Sequence, residues 1–246
     1  MVKKMKIYYS IFIPCYNEEK CIERNVLQVW DVMNAWCNLI DRNFEIIIVD
    51  DCSKDNTPRI TDRLQKMIKN IKVIHYKGKT PTRRENLIRS FKKAKGDIIA
   101  YLDADLSTSL KDLPLLLGGC ETHDICIGNR YDKESRIVRT KSRRVISWGL
   151  NWLTRIIDHP TGISDHFIGF KAFKKECILD LIKDTGVGNR WRGMWWDAEM
   201  LCYAKLNNYS IKRIPVDWIE SKWTKLHWKR ELKMVWYMLW WTPYNG

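Results

Sequence analysis

Hydrophobic and polar positions change their rhythm in blocks along the first half of the chain. Short runs rich in β-branched residues at 7–13, 45–50, 71–75, 98–102 and 125–128 alternate with longer stretches of helical spacing at 19–36, 57–68 and 83–95. The short runs predict strands and the longer stretches helices. Asp55-Asn56-Thr57-Pro58 supplies a helix start, a capping side chain followed by proline in the first turn. Strands alternating with helices predict βαβ units and a mostly parallel central sheet flanked by helices.

Beyond residue 130 the pattern shifts to a basic helix at 142–157, a mixed segment at 161–173, a helix at 196–207 and a strand at 211–218. The tail from 223 to 241 sets Trp223, Leu226, Trp228, Leu232, Val235, Trp236, Leu239 and Trp240 among Lys225, Lys229, Arg230 and Lys233. This is a helical apolar stripe with a cationic face. It suits a membrane surface, or else it caps the core or forms a dimer contact. The chain therefore reads as one domain over 1–220, in two halves at 1–128 and 129–220, followed by an amphipathic tail at 221–246.

Composition narrows the class. With 45% hydrophobic and 12% aromatic residues the 246-residue chain is globular, and 12 Gly and 7 Pro exclude a collagen-like or low-complexity protein. The apolar run at 235–241, even with Met234 before it, falls well short of the roughly 18–20 residues that a membrane-spanning helix needs. The basic start leads into a stretch broken by Ser10 and Pro14 with no small-residue cleavage site, which predicts a first strand rather than a signal peptide. Eight cysteines without any C-x-x-C pair predict reduced, packed thiols in a cytoplasmic protein.

Charge is uneven. The chain carries 43 Lys+Arg against 29 Asp+Glu, a formal net of +14, and nine of its 13 Trp lie after residue 190. Between 130 and 155 eight basic residues face only Asp132 and Glu134. Such a segment is either a solvated face or a surface for a phosphorylated or polyanionic partner.

The candidate chemistry lies where strands end. The run 98–102 leads into Asp103-Ala104-Asp105, the run 45–50 into Asp50-Asp51, and the first strand into Tyr16-Asn17-Glu18-Glu19 after Pro14. Hard divalent cations take oxygen ligands, and Mg²⁺ is usually held by one or two carboxylates plus substrate phosphates. At the C-terminal edge of a parallel sheet, Asp103 and Asp105 can present such a cation to a nucleoside diphosphate. Capping and helix-dipole roles explain any one cluster alone; three on one edge point to a shared site.

These segments, 10–19, 47–55 and 96–106, resemble the nucleotide-sugar half of family 2 glycosyltransferases with the GT-A fold. The second half is similar to the polyprenyl-phosphate branch of that family. Gly128-Asn129-Arg130 resembles its G-S-R segment, 165–173 its D-x-x-x-G-F-K-x-F segment, and 196–201 its F-D-x-E-L-L segment. The dolichyl-phosphate glucosyltransferases resemble the chain most, the mannose synthases next. Where the family often carries G-K-G-x-A, this chain has Gly78-Lys79-Thr80-Pro81-Thr82-Arg83.

The resemblance implies an inverting transfer of a hexose from a nucleoside-diphosphate sugar, UDP-glucose favoured, to a polyprenyl or dolichyl phosphate on the cytosolic membrane face. GDP-mannose as donor and a saccharide hydroxyl as acceptor are the alternatives. By matching position, Pro14, Tyr16, Glu18 and Asp51 would contact base and ribose. Asp103 and Asp105 would hold Mg²⁺ or Mn²⁺ and the diphosphate. Arg130, Arg143 and Ser147 would bind the acceptor phosphate, and Asp197 and Glu199 would stand beside the donor sugar.

Other classes fit less well. A nucleic-acid binder would explain the charge and the aromatics, but no RNP, KH or zinc-finger motif is present and the strand-end carboxylates would repel phosphates. A dinucleotide-binding oxidoreductase needs a G-x-G-x-x-G turn that the first strand lacks. A sugar nucleotidyltransferase shows a Gly-rich basic loop after that strand, where this chain is acidic.

Overall fold

The structure, a computed structural model, describes residues 6–82, 84–138, 149, 152, 154, 162–188, 192–220 and 228–241. Its strands are β1 (Tyr9–Cys15), β2 (Phe44–Asp51), β3 (Ile71–Tyr76), β4 (Ile98–Leu102), β5 (Ile125–Asn129), β6 (Arg136–Val138), β7 (Phe170–Lys174), β8 (Ile211–Pro215) and β9 (Asp217–Ile219). Its helices are α1 (Ile22–Leu39), α2 (Thr57–Met67), α3 (Glu85–Phe91), α4 (Leu113–Thr122), α5 (Lys175–Thr185), α6 (Trp196–Leu206) and α7 (Trp228–Trp240). Of the basic helix expected at 142–157, the described residues 149, 152 and 154 are helical.

Seven strands form one sheet in the order β3-β2-β1-β4-β7-β5-β8. All neighbouring pairs are parallel except those of β7, which runs antiparallel to both β4 and β5. β6 and β9 pair as a separate two-stranded ribbon.

Both faces of the sheet are covered, because successive side chains of a strand point to opposite sides. Ile11, Ile13, Ile46, Ile48, Ala100 and Leu102 face a layer built from α1 and α4. Phe12, Ile47, Val49, Ile99 and Tyr101 face the layer of α3, α5 and α6. At the C-terminal ends of β2 and β4 this alternation continues into polar residues, so Asp51 and Asp103 emerge on the second face. All eight cysteines are free and buried, as the sequence led us to expect.

The tail helix α7 packs on the core rather than standing away from it. Met234, Met238 and Trp241 are buried against Phe167, Trp195, Ala198 and Cys202. Trp236 and Trp240, one turn apart and 6.4 Å between ring centroids, remain 58% and 74% exposed. Among the described residues no helix is long and apolar enough to cross a membrane.

Candidate active site

β1, β2 and β4 each end in a turn holding a non-glycine residue in the left-handed region: Asn17 at φ 55°, Cys52 at 71° and Leu106 at 49°. Such conformations cost on the order of 1–3 kcal/mol and survive where neighbours over-determine them. Here the first two turns are stitched together. Asn17 N donates to Ser53 Oγ at 2.9 Å, Lys54 N to Asn17 Oδ1 at 2.8 Å, Glu18 N to Thr57 Oγ1 at 2.8 Å and Asn56 N to Glu19 Oε2 at 2.9 Å. The third turn is closed by Leu106 N donating to the Asp103 carbonyl at 3.1 Å and Ser107 N to Asp105 Oδ1 at 3.1 Å. Asn25 of α1 ties it to the first by donating to the Ala104 carbonyl at 2.8 Å.

Asp103 lies against the backbone of Gly169, the residue that enters β7, and its N–H donates to the Gly169 carbonyl at 3.0 Å. Burial, helped by the charges of Asp105 and Asp197 and opposed by Arg84 and Lys171, lifts its pKa to about 6. Glu18 is raised as well, by burial and by the charges of Asp105 and Asp55, so the turn after β1 and the acidic turn after β4 share one electrostatic environment. Among the described residues no group of three or more His, Cys, Asp or Glu side chains is arranged to hold a metal ion by itself. Two carboxylates alone fit a hard cation that completes its coordination with substrate oxygens and water.

Beneath Asp103 lies a buried charge cluster. Asp197 at the start of α6 accepts from Arg84 Nε at 2.8 Å, from Lys171 Nζ at 3.1 Å and from the Tyr101 hydroxyl. Asp197, Lys171 and Tyr101 are fully buried. Burial alone would raise the Asp197 pKa, but the two cations hold it below the usual carboxylate range. Burial pushes Lys171 down, though Asp197 opposes this.

Arg130, at the end of β5, is locked by a bidentate pair: its Nε and Nη2 donate to Asp165 Oδ2 and Oδ1 at 2.7 and 2.8 Å. The guanidinium stacks 5.5 Å from the Trp218 ring centroid and lies within range of the Asp103 charge. The Asp165 pKa falls, because Arg130 outweighs complete burial.

The other expected site residues divide three ways. Pro14, Tyr16 and Glu18 line the turn after β1 and are partly exposed. Asp51 is nearly buried, and both its oxygens hold the 80s loop, accepting from Thr82 N at 2.7 Å and Asn86 Nδ2 at 2.6 Å. Glu199 is two residues from Asp197, which on a helix turns it to the opposite side; there it meets Arg192 at 3.2 Å and the Trp241 indole. Arg143 and Ser147 lie outside the described residues. Sequence reasoning passed over Arg84, Tyr101, Asp165, Gly169 and Lys171 as individual site residues. The last three stand inside the quoted 165–173 segment, whereas nothing local distinguishes Arg84 from a solvated loop cation.

The family model described as glycosyl transferase family 2 matches residues 10–179. The chain is 30% identical over 226 residues to the glycosyltransferase AglD of Haloferax volcanii, covering 91% of this chain and 35% of that protein. It thus spans about a third of that relative's length. It is 28% identical to a dolichyl-phosphate beta-glucosyltransferase of Trichomonas vaginalis, covering 94% of this chain and 72% of the relative. Among solved structures, glucosyl-3-phosphoglycerate synthase of Mycobacterium tuberculosis with Mn²⁺ and UDP-glucose superposes with a TM-score of 0.65 at 17% identity, over 95% of this chain and 78% of that one. This likeness shows a shared GT-A fold.

Proposed function

Since the chain belongs to glycosyl transferase family 2, we propose that it transfers a hexose, glucose from UDP-glucose in the favoured case, to a polyprenyl or dolichyl phosphate with inversion at the anomeric carbon. The observation that carries this reading is the meeting, at one sheet edge, of the Asp103–Asp105 pair with an arginine, Arg130, already locked in place by Asp165. The family and a relative named for dolichyl phosphate support the acceptor class.

The chemistry follows from the groups present. A phosphate monoester is ionised near neutral pH, so its oxygen attacks the anomeric carbon without a general base. A bond from carbon to the acceptor oxygen forms as the bond to the nucleoside diphosphate breaks, and the electron pair leaves on the diphosphate oxygen. Bound by Asp103 and Asp105, Mg²⁺ or Mn²⁺ supplies positive charge for that leaving group. Arg130 holds the attacking phosphate, its fork pre-oriented so that little side-chain entropy is lost on binding; Arg143 and Ser147 join it. Pro14, Tyr16 and Glu18 take the base and ribose, with Asp51 shaping that wall through Thr82 and Asn86. Asp197 sits under the donor sugar, and Glu199 braces α6 from behind.

We infer further that the protein works at the cytosolic face of a membrane; a lipid acceptor supports membrane association, and the exposed Trp236 and Trp240 suit the headgroup boundary, where amphipathic rings collect. A donor screen tests the reading. UDP-glucose, GDP-mannose and UDP-N-acetylhexosamine are each offered with polyprenyl phosphate in vesicles and Mn²⁺. Formation of a lipid-linked hexose from UDP-glucose is expected; the same product from GDP-mannose alone moves the assignment to mannose, and transfer only to a free saccharide overturns the acceptor.

A further inference from the structure

Arg84 stands between the 80s loop and α3, nearly buried at 6% side-chain exposure. Its Nε is spent on Asp197 and its guanidinium carbon lies 5.2 Å from the Tyr101 ring centroid. Tyr101 and Asp103 point to the same side of β4, so the guanidinium sits one pleat behind the acidic pair. Its Nη2 has no hydrogen-bond acceptor among the described residues. A buried guanidinium nitrogen left unpaired is costly, and such atoms call for an explanation.

The charge balance around it points the same way. Asp197 is already neutralised by Lys171, so two buried cations share one carboxylate. Asp103 also bears on Arg84, and a divalent cation held by the Asp103–Asp105 pair would take up that charge. What remains is a surplus cation with a free N–H fork beside the place where a diphosphate would meet the metal. The loop leading to it offers little else: residues 78–83 contain one glycine, Gly78, and Pro81 has no N–H.

We propose that Arg84 anchors the donor diphosphate, the part of its guanidinium not spent on Asp197 donating to a β-phosphate oxygen of the nucleoside-diphosphate sugar and holding that group as it leaves. The inference rests on the reading of the donor given above. It assigns to a side chain a task for which this loop has few backbone groups, and it makes Asp197 the positioning residue that aims the fork.

Titration calorimetry on the full chain with Mn²⁺ tests it, using UDP against UMP and GDP against GMP as probes. The wild type prefers the diphosphate of one pair. In Arg84→Gln that preference shrinks about tenfold, the worth of one charge-assisted hydrogen bond, while monophosphate affinity holds within about twofold. Arg84→Lys keeps a cation beside Asp197 in case the glutamine variant fails to fold; it loses the same preference, because a lysine spent on Asp197 lacks the far nitrogen of the fork. A diphosphate preference that survives in the folded variants, or an equal loss for both nucleotides, overturns the role of Arg84 and leaves the donor reading standing. A wild type that binds none of the four nucleotides overturns the donor reading and this inference together.

Discussion

A β-carbon at position 169 would lie 2.1 Å from Asp103 Oδ2 and 2.2 Å from its Cγ, so the Asp103 carboxylate occupies the room that any side chain at Gly169 would need. Gly169→Ala must therefore push that carboxylate out of place. The expected cost is about 1–3 kcal/mol of stability, in the range for overpacking a filled site, with loss of most Mn²⁺ binding. The clash is specific, so in an Asp103→Ala background the same Gly169→Ala change should cost far less. Denaturant melts of the four proteins give the coupling energy directly.

Arg130 and Asp165 form a buried pair, and the two ways of breaking it differ. Arg130→Ala leaves Asp165 buried and uncompensated, at a cost of about 3–5 kcal/mol. Arg130→Lys keeps the charge but not the planar fork. It should fold, yet lower kcat/KM for the lipid phosphate about 10- to 100-fold while the donor KM changes little. Steady-state kinetics with each substrate varied in turn check this split.

His75 bridges two carboxylates, with Nδ1 2.8 Å from Asp50 Oδ2 and Nε2 3.1 Å from Asp62 Oδ1. Burial lowers its proton affinity, but the two carboxylates outweigh that and leave the pKa above the ordinary 6.5. With the folded pKa above the unfolded one, the protonated ring stabilises the fold fully below about pH 6.5, and this contribution is lost as pH rises through the raised value. The effect is under about 1 kcal/mol, because the ring and Asp62 are partly exposed. Urea midpoints from pH 5.5 to 8.5 should show the decline, and His75→Gln should flatten it.

Much of this architecture is legible in the sequence, and the exceptions share a cause. The first five strands lie within about two residues of the runs that predict them, since parallel strands buried on both faces read as continuous apolar runs. β7 hides in the mixed segment because Lys171 interrupts its apolar pattern; Asp197, 26 residues away, supplies the countercharge and the Ile168 carbonyl a second acceptor that make a buried lysine tolerable there. α4 is masked by Pro114, Gly118 and Gly119. Gly119 has a packing reason, for a β-carbon there would fall 2.4 Å from Cys126 Sγ. The expected strand at 211–218 divides at Val216 into β8 and β9, which join different sheets. At the site, the acidic turn was legible as a motif, whereas Arg84 and Tyr101 gain their meaning from Asp197, which only the fold brings to them.

The tail offers a test of membrane association that leaves the core alone. Trp236 and Trp240 are exposed, whereas Met238 is fully buried against the core. Trp236→Ser with Trp240→Ser should keep the melting temperature within a few degrees and cut sedimentation with anionic vesicles severalfold. Met238→Ala should do the reverse, costing about 2–5 kcal/mol of stability. Unchanged vesicle binding by the double serine variant would leave the ring pair without a lipid role.

The central claim is that an ionised lipid phosphate attacks the sugar at a cation held by Asp103 and Asp105. The direct measurement follows labelled hexose from the donor into the organic phase, with polyprenyl phosphate or dephosphorylated polyprenol as acceptor, for the wild type and Asp105→Ala. The account predicts labelled lipid with the phosphate acceptor alone, abolished by excess EDTA and reduced at least a hundredfold in a folded Asp105→Ala protein. Equal transfer to polyprenol, or full activity in EDTA or in that variant, would contradict it.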